Sequence, residues 1–149
     1  MNGIRWIIVF LLVGVISGCA TSNSKDDSGT SAGKAYSRLG FQYLQSGDTA
    51  NAKISFQRAL EVEPNYAEAH NGLALTFQLE GDKQLAETYF LKATSLAPQS
   101  AMMHNNFGAF LYANKRYVEA CQELARATED PFYHQRSQAF ENLGRCYLN

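Results

Sequence analysis

The chain has no excess of either charge. Thirteen Lys and Arg stand against fourteen Asp and Glu, so no broad basic face exists to attract nucleic acid or anionic headgroups. Cysteine is scarce: three are present, none in a CxxC pair, which excludes a disulfide-built miniprotein and a structural zinc site of the usual spacing. There is no glycine-rich phosphate loop, GxSxG elbow or HExxH pair, and Ser37, Asp48 and the histidines lack triad spacing. The chain therefore reads as a non-enzyme with no cofactor and no small-molecule substrate. Nor is there an apolar run of the roughly 20 residues that a permanent spanning helix needs. What is present is 46% hydrophobic residues over 149 positions, enough for one domain with a core.

The longest apolar run, Trp6 to Ile16, spans eleven residues behind a short, weakly basic start and closes on Ser17-Gly18-Cys19. Residues 1–18 read as a signal peptide, so the protein is exported. Ile16-Ser17-Gly18-Cys19 also resembles the bacterial lipobox, which implies lipid on the Cys19 sulfur and cleavage that makes Cys19 the mature N-terminus. The alternative is an ordinary secretory peptide cut near Ala20, but a cysteine placed where the small residues end the apolar run favours lipidation. By the lipoprotein sorting rule, Ala20 in place of Asp implies the outer membrane, with the protein lipid-anchored and facing the periplasm. Residues 19–32, rich in Ser, Gly and Asp with no large apolar side chain, read as a flexible tether.

From residue 33 onward the sequence repeats every 34 positions. Tyr36, Leu39, Gly40, Tyr43, Ala52, Phe56, Ala59 and Pro64 recur as His70, Leu73, Ala74, Phe77, Ala86, Phe90, Ala93 and Pro98. They recur again as His104, Phe107, Gly108, Leu111, Ala120, Leu124 and Ala127, with Pro131 displaced. This order resembles the tetratricopeptide repeat, a helix-turn-helix unit, and implies an all-α superhelix of repeats 33–66, 67–100 and 101–134 plus a partial unit, 137–149. The small residues Gly40, Ala74 and Gly108 let each A helix approach its B helix, while Leu39, Tyr43 and Phe56 are expected to fill the space between. Gly47-Asp48 and Gly81-Asp82 supply a left-handed stop and an acidic start, with Asn114 expected as a poorer stop in the third repeat. Phe140, Leu143, Gly144 and Tyr147 fit a fourth A helix if two residues are inserted around Asp130 to His134. No B helix follows, so this helix ends a fragment, caps the third repeat or is covered by a partner.

Two side-chain sets could carry chemistry. His70 and His104 hold equivalent positions, but neighbouring repeats stack about 10 Å apart, too far to share one metal, so they read as packing residues. Cys121 and Cys146 fall on neighbouring helices in an oxidising compartment and read as a structural disulfide, with two buried free thiols or a redox role as the alternatives. The repeat resemblance further implies a concave, protein-binding face lined by Phe41, Leu44, Leu75, Gln78, Leu79, Met102, Asn105, Ala109 and Tyr112. That face is largely apolar and suits an amphipathic helix or hydrophobic peptide. Repeats that grip acidic chaperone tails use a basic clamp, to which only Lys34 and Arg38 could contribute at the first repeat.

The lipobox, the tether and the tandem repeats, with Asp130-Pro131-Phe132-Tyr133 leading to Arg136 and then Ala139-Phe140-Glu141-Asn142-Leu143-Gly144, resemble the type IV pilus biogenesis lipoproteins of the PilF/PilW kind. The resemblance implies a pilotin, which helps the pilus secretin subunit reach the outer membrane and assemble into a ring, and members carry more repeats than this chain. The alternative is a repeat lipoprotein that serves as adaptor for a periplasmic protease or cell-wall hydrolase.

Overall fold

The computed structural model describes residues 27–148, with side chains from residue 32. Among them run seven helices: α1 (Asp27–Gln45), α2 (Thr49–Val62), α3 (Ala67–Glu80), α4 (Lys83–Leu96), α5 (Ala101–Ala113), α6 (Tyr117–Ala127) and α7 (Arg136–Tyr147). They form the all-α repeat solenoid expected from the 34-residue period, with α1/α2, α3/α4 and α5/α6 as helical hairpins and α7 as a fourth A helix. The first helix begins at Asp27, inside the stretch whose composition reads as a tether.

The turns follow from local chemistry. Gly47 and Gly81 take positive φ, 79° and 83°, a conformation that costs a glycine little. Asp48 and Asp82 then accept hydrogen bonds from the backbone N–H groups of Asn51 and Leu85 at 3.0 Å, capping α2 and α4. The third turn corrects the expectation for Asn114. It stays at φ −91°, and the positive φ falls on Lys115 at 64°, the true 34-residue equivalent of Gly81. Arg116 replaces the capping acid and instead pairs with Glu119 and Glu87, tying α6 to α4.

Within each hairpin one large side chain of the B helix fills the gap left by small residues of the A helix. Phe56, Phe90 and Leu124 are at most 1% exposed, and the alanines that flank them at 52, 59, 86, 93, 120 and 127 are fully buried. The fit is tight: a Cβ on Gly40 would lie 2.6 Å from the Phe56 ring, on Gly72 2.2 Å from the same ring, and on Gly108 2.7 Å from Leu124. Burying each such side chain contributes roughly 1.5 to 3 kcal/mol. Between repeats, Phe90 stacks on Phe107 with centroids 5.7 Å apart, and Leu73 joins the cluster around Phe56.

Leu39 departs from its expected core role. It is 38% exposed, whereas its equivalents Leu73 and Phe107 are 1% and 5% exposed. Those two pack on the B helix of the repeat before them, and among the described residues no such helix precedes α1. At the other end, α7 is seated by Tyr133, buried among Ala101, Ala127 and Ala139, and by Arg136, whose Nε donates to the Thr128 carbonyl at 2.9 Å. Its far face is bare: Phe140 is 50% and Tyr147 70% exposed, and a Cβ on Gly144 would meet nothing within 4 Å.

Candidate partner-binding groove

The A helices line the inner face of the stack, and the residues expected there divide into three groups. Phe41, Leu44, Leu75, Gln78 and Leu79 converge, with Gln45, on one hollow of about 290 Å³ between the C-terminal halves of α1 and α3. Leu79 is 64% exposed, and Phe41 lies edge-on to Phe56 at 5.0 Å, so the floor is anchored in the core while the rim is open. Ala109 and Tyr112 line a second hollow of about 200 Å³ between α5 and α7, with Leu124, Asn142 and Arg145.

Met102 and Asn105 lie in neither of these two hollows. Met102 packs between repeats against Met103, Ala101 and their neighbours. Asn105 is only 5% exposed, and its Oδ1 accepts a hydrogen bond from Asn142 Nδ2 at 3.0 Å. The previous repeat interface holds the same device, Asn106 Nδ2 donating to Asn71 Oδ1 at 3.2 Å. Paired in this way, these amides fix the spacing of successive A helices. Asn142 and Arg145 were not singled out by sequence reasoning. The signal that could have found them is the same two-residue insertion that aligns Asn142 with Asn106.

The buried histidines hold loops to helices. His70 and His104 place Nε2 3.0 and 2.9 Å from the carbonyls of Pro64 and Pro98, so each ring joins the chain after a B helix to the following A helix. His104 Nδ1 lies 2.6 Å from Glu123 Oε2, and this bond raises the His104 pKa above the usual histidine value against the opposing effect of burial. At the equivalent of Glu123 the second repeat has Tyr89, which stacks on His70 at 5.9 Å. Burial then dominates and lowers the His70 pKa, its Nδ1 having no partner. Among the described residues no three or more His, Cys, Asp or Glu side chains cluster as a metal would require.

The two predicted disulfide cysteines are joined in the structure, with Cα atoms 5.6 Å apart, linking α6 to α7. Cys19, the predicted lipidation site, lies outside the described residues. No helix of the described residues is long and apolar enough to cross a membrane. The inner face carries one apolar hollow and one mixed hollow, both suited to receiving side chains of another protein.

Comparison with known proteins agrees with this geometry. The tetratricopeptide repeat family model matches residues 38–101 and 80–134. The type IV pilus assembly protein PilF of Pseudomonas aeruginosa is 42% identical over 97% of this chain and 60% of its own length. A solved structure of P. aeruginosa PilF superposes with a TM-score of 0.79 at 44% identity, covering 80% of this chain and 54% of that one. A crystal structure of PilW, described as a widely conserved type IV pilus biogenesis factor, gives 0.72 at 29% identity over 76% and 52%. The chain thus spans somewhat more than half the length of these relatives.

Proposed function

We propose, from the premise that this chain belongs to the tetratricopeptide repeat family and is homologous to PilF and PilW, that it is a non-catalytic assembly factor of the type IV pilus. In this reading lipid on Cys19 holds the protein at the outer membrane, facing the periplasm. The concave groove binds the pilus secretin subunit, which then assembles into its ring at that membrane. Tethering is the whole mechanism: the lipid selects the surface and the solenoid selects the cargo.

The observation that carries the reading is the hollow between α1 and α3, where the half-buried Phe41, Leu44 and Leu75 and the exposed Leu79 together line one apolar concavity. An apolar side chain seated there contributes roughly 1.5 to 3 kcal/mol, and a preformed solenoid adds little ordering cost. Attachment to the membrane requires more than one acyl chain, each buried CH₂ contributing about 0.8 kcal/mol.

The test is affinity capture from solubilised outer membranes of cells expressing the tagged protein, probed for the pilus secretin. Enrichment of the secretin, lost when Cys19→Ala mislocalises the protein, is the expected result. Enrichment of a periplasmic protease or cell-wall hydrolase in its place would overturn the pilus reading. Mass spectrometry of the mature N-terminus should find an acylated Cys19, and an unmodified chain starting at Ala20 would overturn the anchor.

A further inference from the structure

At the far end of the stack from the α1–α3 hollow, α7 carries a stripe of apolar side chains that nothing covers. Phe140, Gly144, Tyr147 and, just past the helix end, Leu148 are all exposed, and their spacing of four and three or four residues puts them on one face. Leu148 is 87% exposed. The two-residue insertion aligns Phe140, Gly144 and Tyr147 with His104, Gly108 and Leu111 of α5. In that repeat the same face is closed by α6. His104 is hydrogen-bonded to Glu123, Gly108 lies under Leu124, and Leu111 clusters with Ala120 and Leu124. The stripe on α7 is thus a face built to receive a helix, and among the described residues no helix occupies it. A contiguous apolar face of this kind marks a contact surface.

The pattern on this face is its own complement. Phe140 stands four residues before Gly144 and Leu148 four residues after it. In an antiparallel pair related by a two-fold axis, residue i of one copy faces residue j of the other and j faces i. A pair centred on Gly144 therefore sets glycine against glycine, where a Cβ would otherwise hold the backbones apart, and sets Phe140 of each copy against Leu148 of the other. The charges agree with this register. Glu141 and Arg145 are both exposed and, four residues apart, lie on the same flank of the stripe. Their midpoint is residue 143, one residue or about 1.5 Å from the apolar centre. An antiparallel two-fold brings like flanks together, so Glu141 of each copy meets Arg145 of the other. A parallel two-fold would set that flank against Leu143 instead.

We propose that α7 is a self-association surface: it pairs antiparallel with α7 of a second copy of this chain, crossing at Gly144. Two stacks then join by their C-terminal ends, and the dimer presents two α1–α3 hollows. The inference does not depend on what those hollows bind. A contact made by one helix pair falls at the small end of specific interfaces, so the dimer is weak and exchanges with monomer.

Analytical ultracentrifugation of the mature chain, made unlipidated as Cys19→Ala and examined at low salt over about a hundredfold range of concentration, tests this directly. The expected result is a monomer–dimer equilibrium. Gly144→Glu should weaken the dimer more than about tenfold, since it forces two like charges into the crossing point. It should leave the helicity of the monomer unchanged, because a Cβ there meets open space. The decisive arm uses charge. Glu141→Arg places Arg opposite Arg in the self-pair, and Arg145→Glu places Glu opposite Glu, so each variant alone should associate more weakly than the parent. An equimolar mixture of the two restores opposite charges at both contacts and should associate more tightly than either variant alone, with the difference fading at high salt. A monomer at every concentration would overturn the proposal and leave the face to a helix of another protein. A dimer indifferent to Gly144→Glu, or a mixture no tighter than its components, would equally overturn it by placing the contact elsewhere or in another register.

Discussion

At the residue scale the fold is governed by where a methyl group does or does not fit. Gly72→Ala would press a Cβ to 2.2 Å from the Phe56 ring, a fully buried side chain that also blocks a Cβ on Gly40. The expected cost is about 1 to 3 kcal/mol of overpacking. Gly144→Ala meets open space and should gain up to about 1 kcal/mol from helix propensity. Chemical denaturation of the two variants against the parent checks both signs. The conspicuous glycines, Gly40 and Gly108, are legible because they share one repeat position with Ala74, where every repeat has a small residue. Gly72 was not, because its equivalents are Arg38 and Asn106, and only the position of Phe56 explains it.

The buried His104 gives a pH signature of opposite sense to that of His70. Bonding to Glu123 raises the folded-state pKa of His104, so its contribution is complete below the unfolded value near 6.5 and is lost as pH rises through the raised value. Glu123→Gln should therefore lower stability by about 1.5 to 3 kcal/mol near pH 6, the range for a charge-assisted bond, and by progressively less toward pH 9. Burial lowers the His70 pKa, so its neutral form stabilises above 6.5 and that contribution is lost as pH falls through the lowered value. Melting curves of the parent, Glu123→Gln and His70→Phe across this range separate the two. That both histidines are packing residues followed from their spacing, while their difference lies in Tyr89 against Glu123, which the repeat alignment holds but which becomes meaningful only once the rings are placed.

At the scale of elements, the helices and their pairing were readable from the period, and the exceptions have specific causes. The third turn was placed one residue early because Asn114 looks like a stop and Lys115 does not, yet the chain needs its left-handed residue at the same step in every repeat. Leu39 reads as core by analogy with Leu73, but what buries Leu73 is the preceding helix. The terminal α7 depends on fewer neighbours than any interior A helix, and the bond between Cys121 and Cys146 holds it to α6. With the two cysteines 25 positions apart, loop closure predicts about 3.5 kcal/mol of stabilisation. Replacing both cysteines with serine should speed hydrogen exchange in residues 136–147 by orders of magnitude while leaving 67–96 little changed. Uniform acceleration across the chain would instead show that α7 is part of the global fold. Thiol labelling of the protein purified without reductant, under denaturing conditions, should find neither Cys121 nor Cys146 free.

For the whole molecule, the stacked hairpins form a scaffold, and under the proposed function the hollow between α1 and α3 is where a partner docks. Most groove positions implied by the repeat pattern converge there, since inward-facing positions of A helices are set by the period alone. Met102 and Asn105 take part instead in contacts between repeats, a tertiary effect that no single repeat encodes. Two substitutions two residues apart isolate the claim. Leu73 is 1% exposed, so Leu73→Glu buries an unpaired carboxylate and should unfold the chain. Leu75 is only partly buried at the wall of the hollow, so Leu75→Glu should fold, with a modest loss of melting temperature. The most direct measurement is the amount of detergent-resistant secretin multimer in outer membranes of cells whose only copy carries Leu75→Glu, with circular dichroism of the purified variant alongside. The expected result is a helical, folded protein and loss of the multimer; a folded variant that supports the multimer at the parental level would contradict the groove reading.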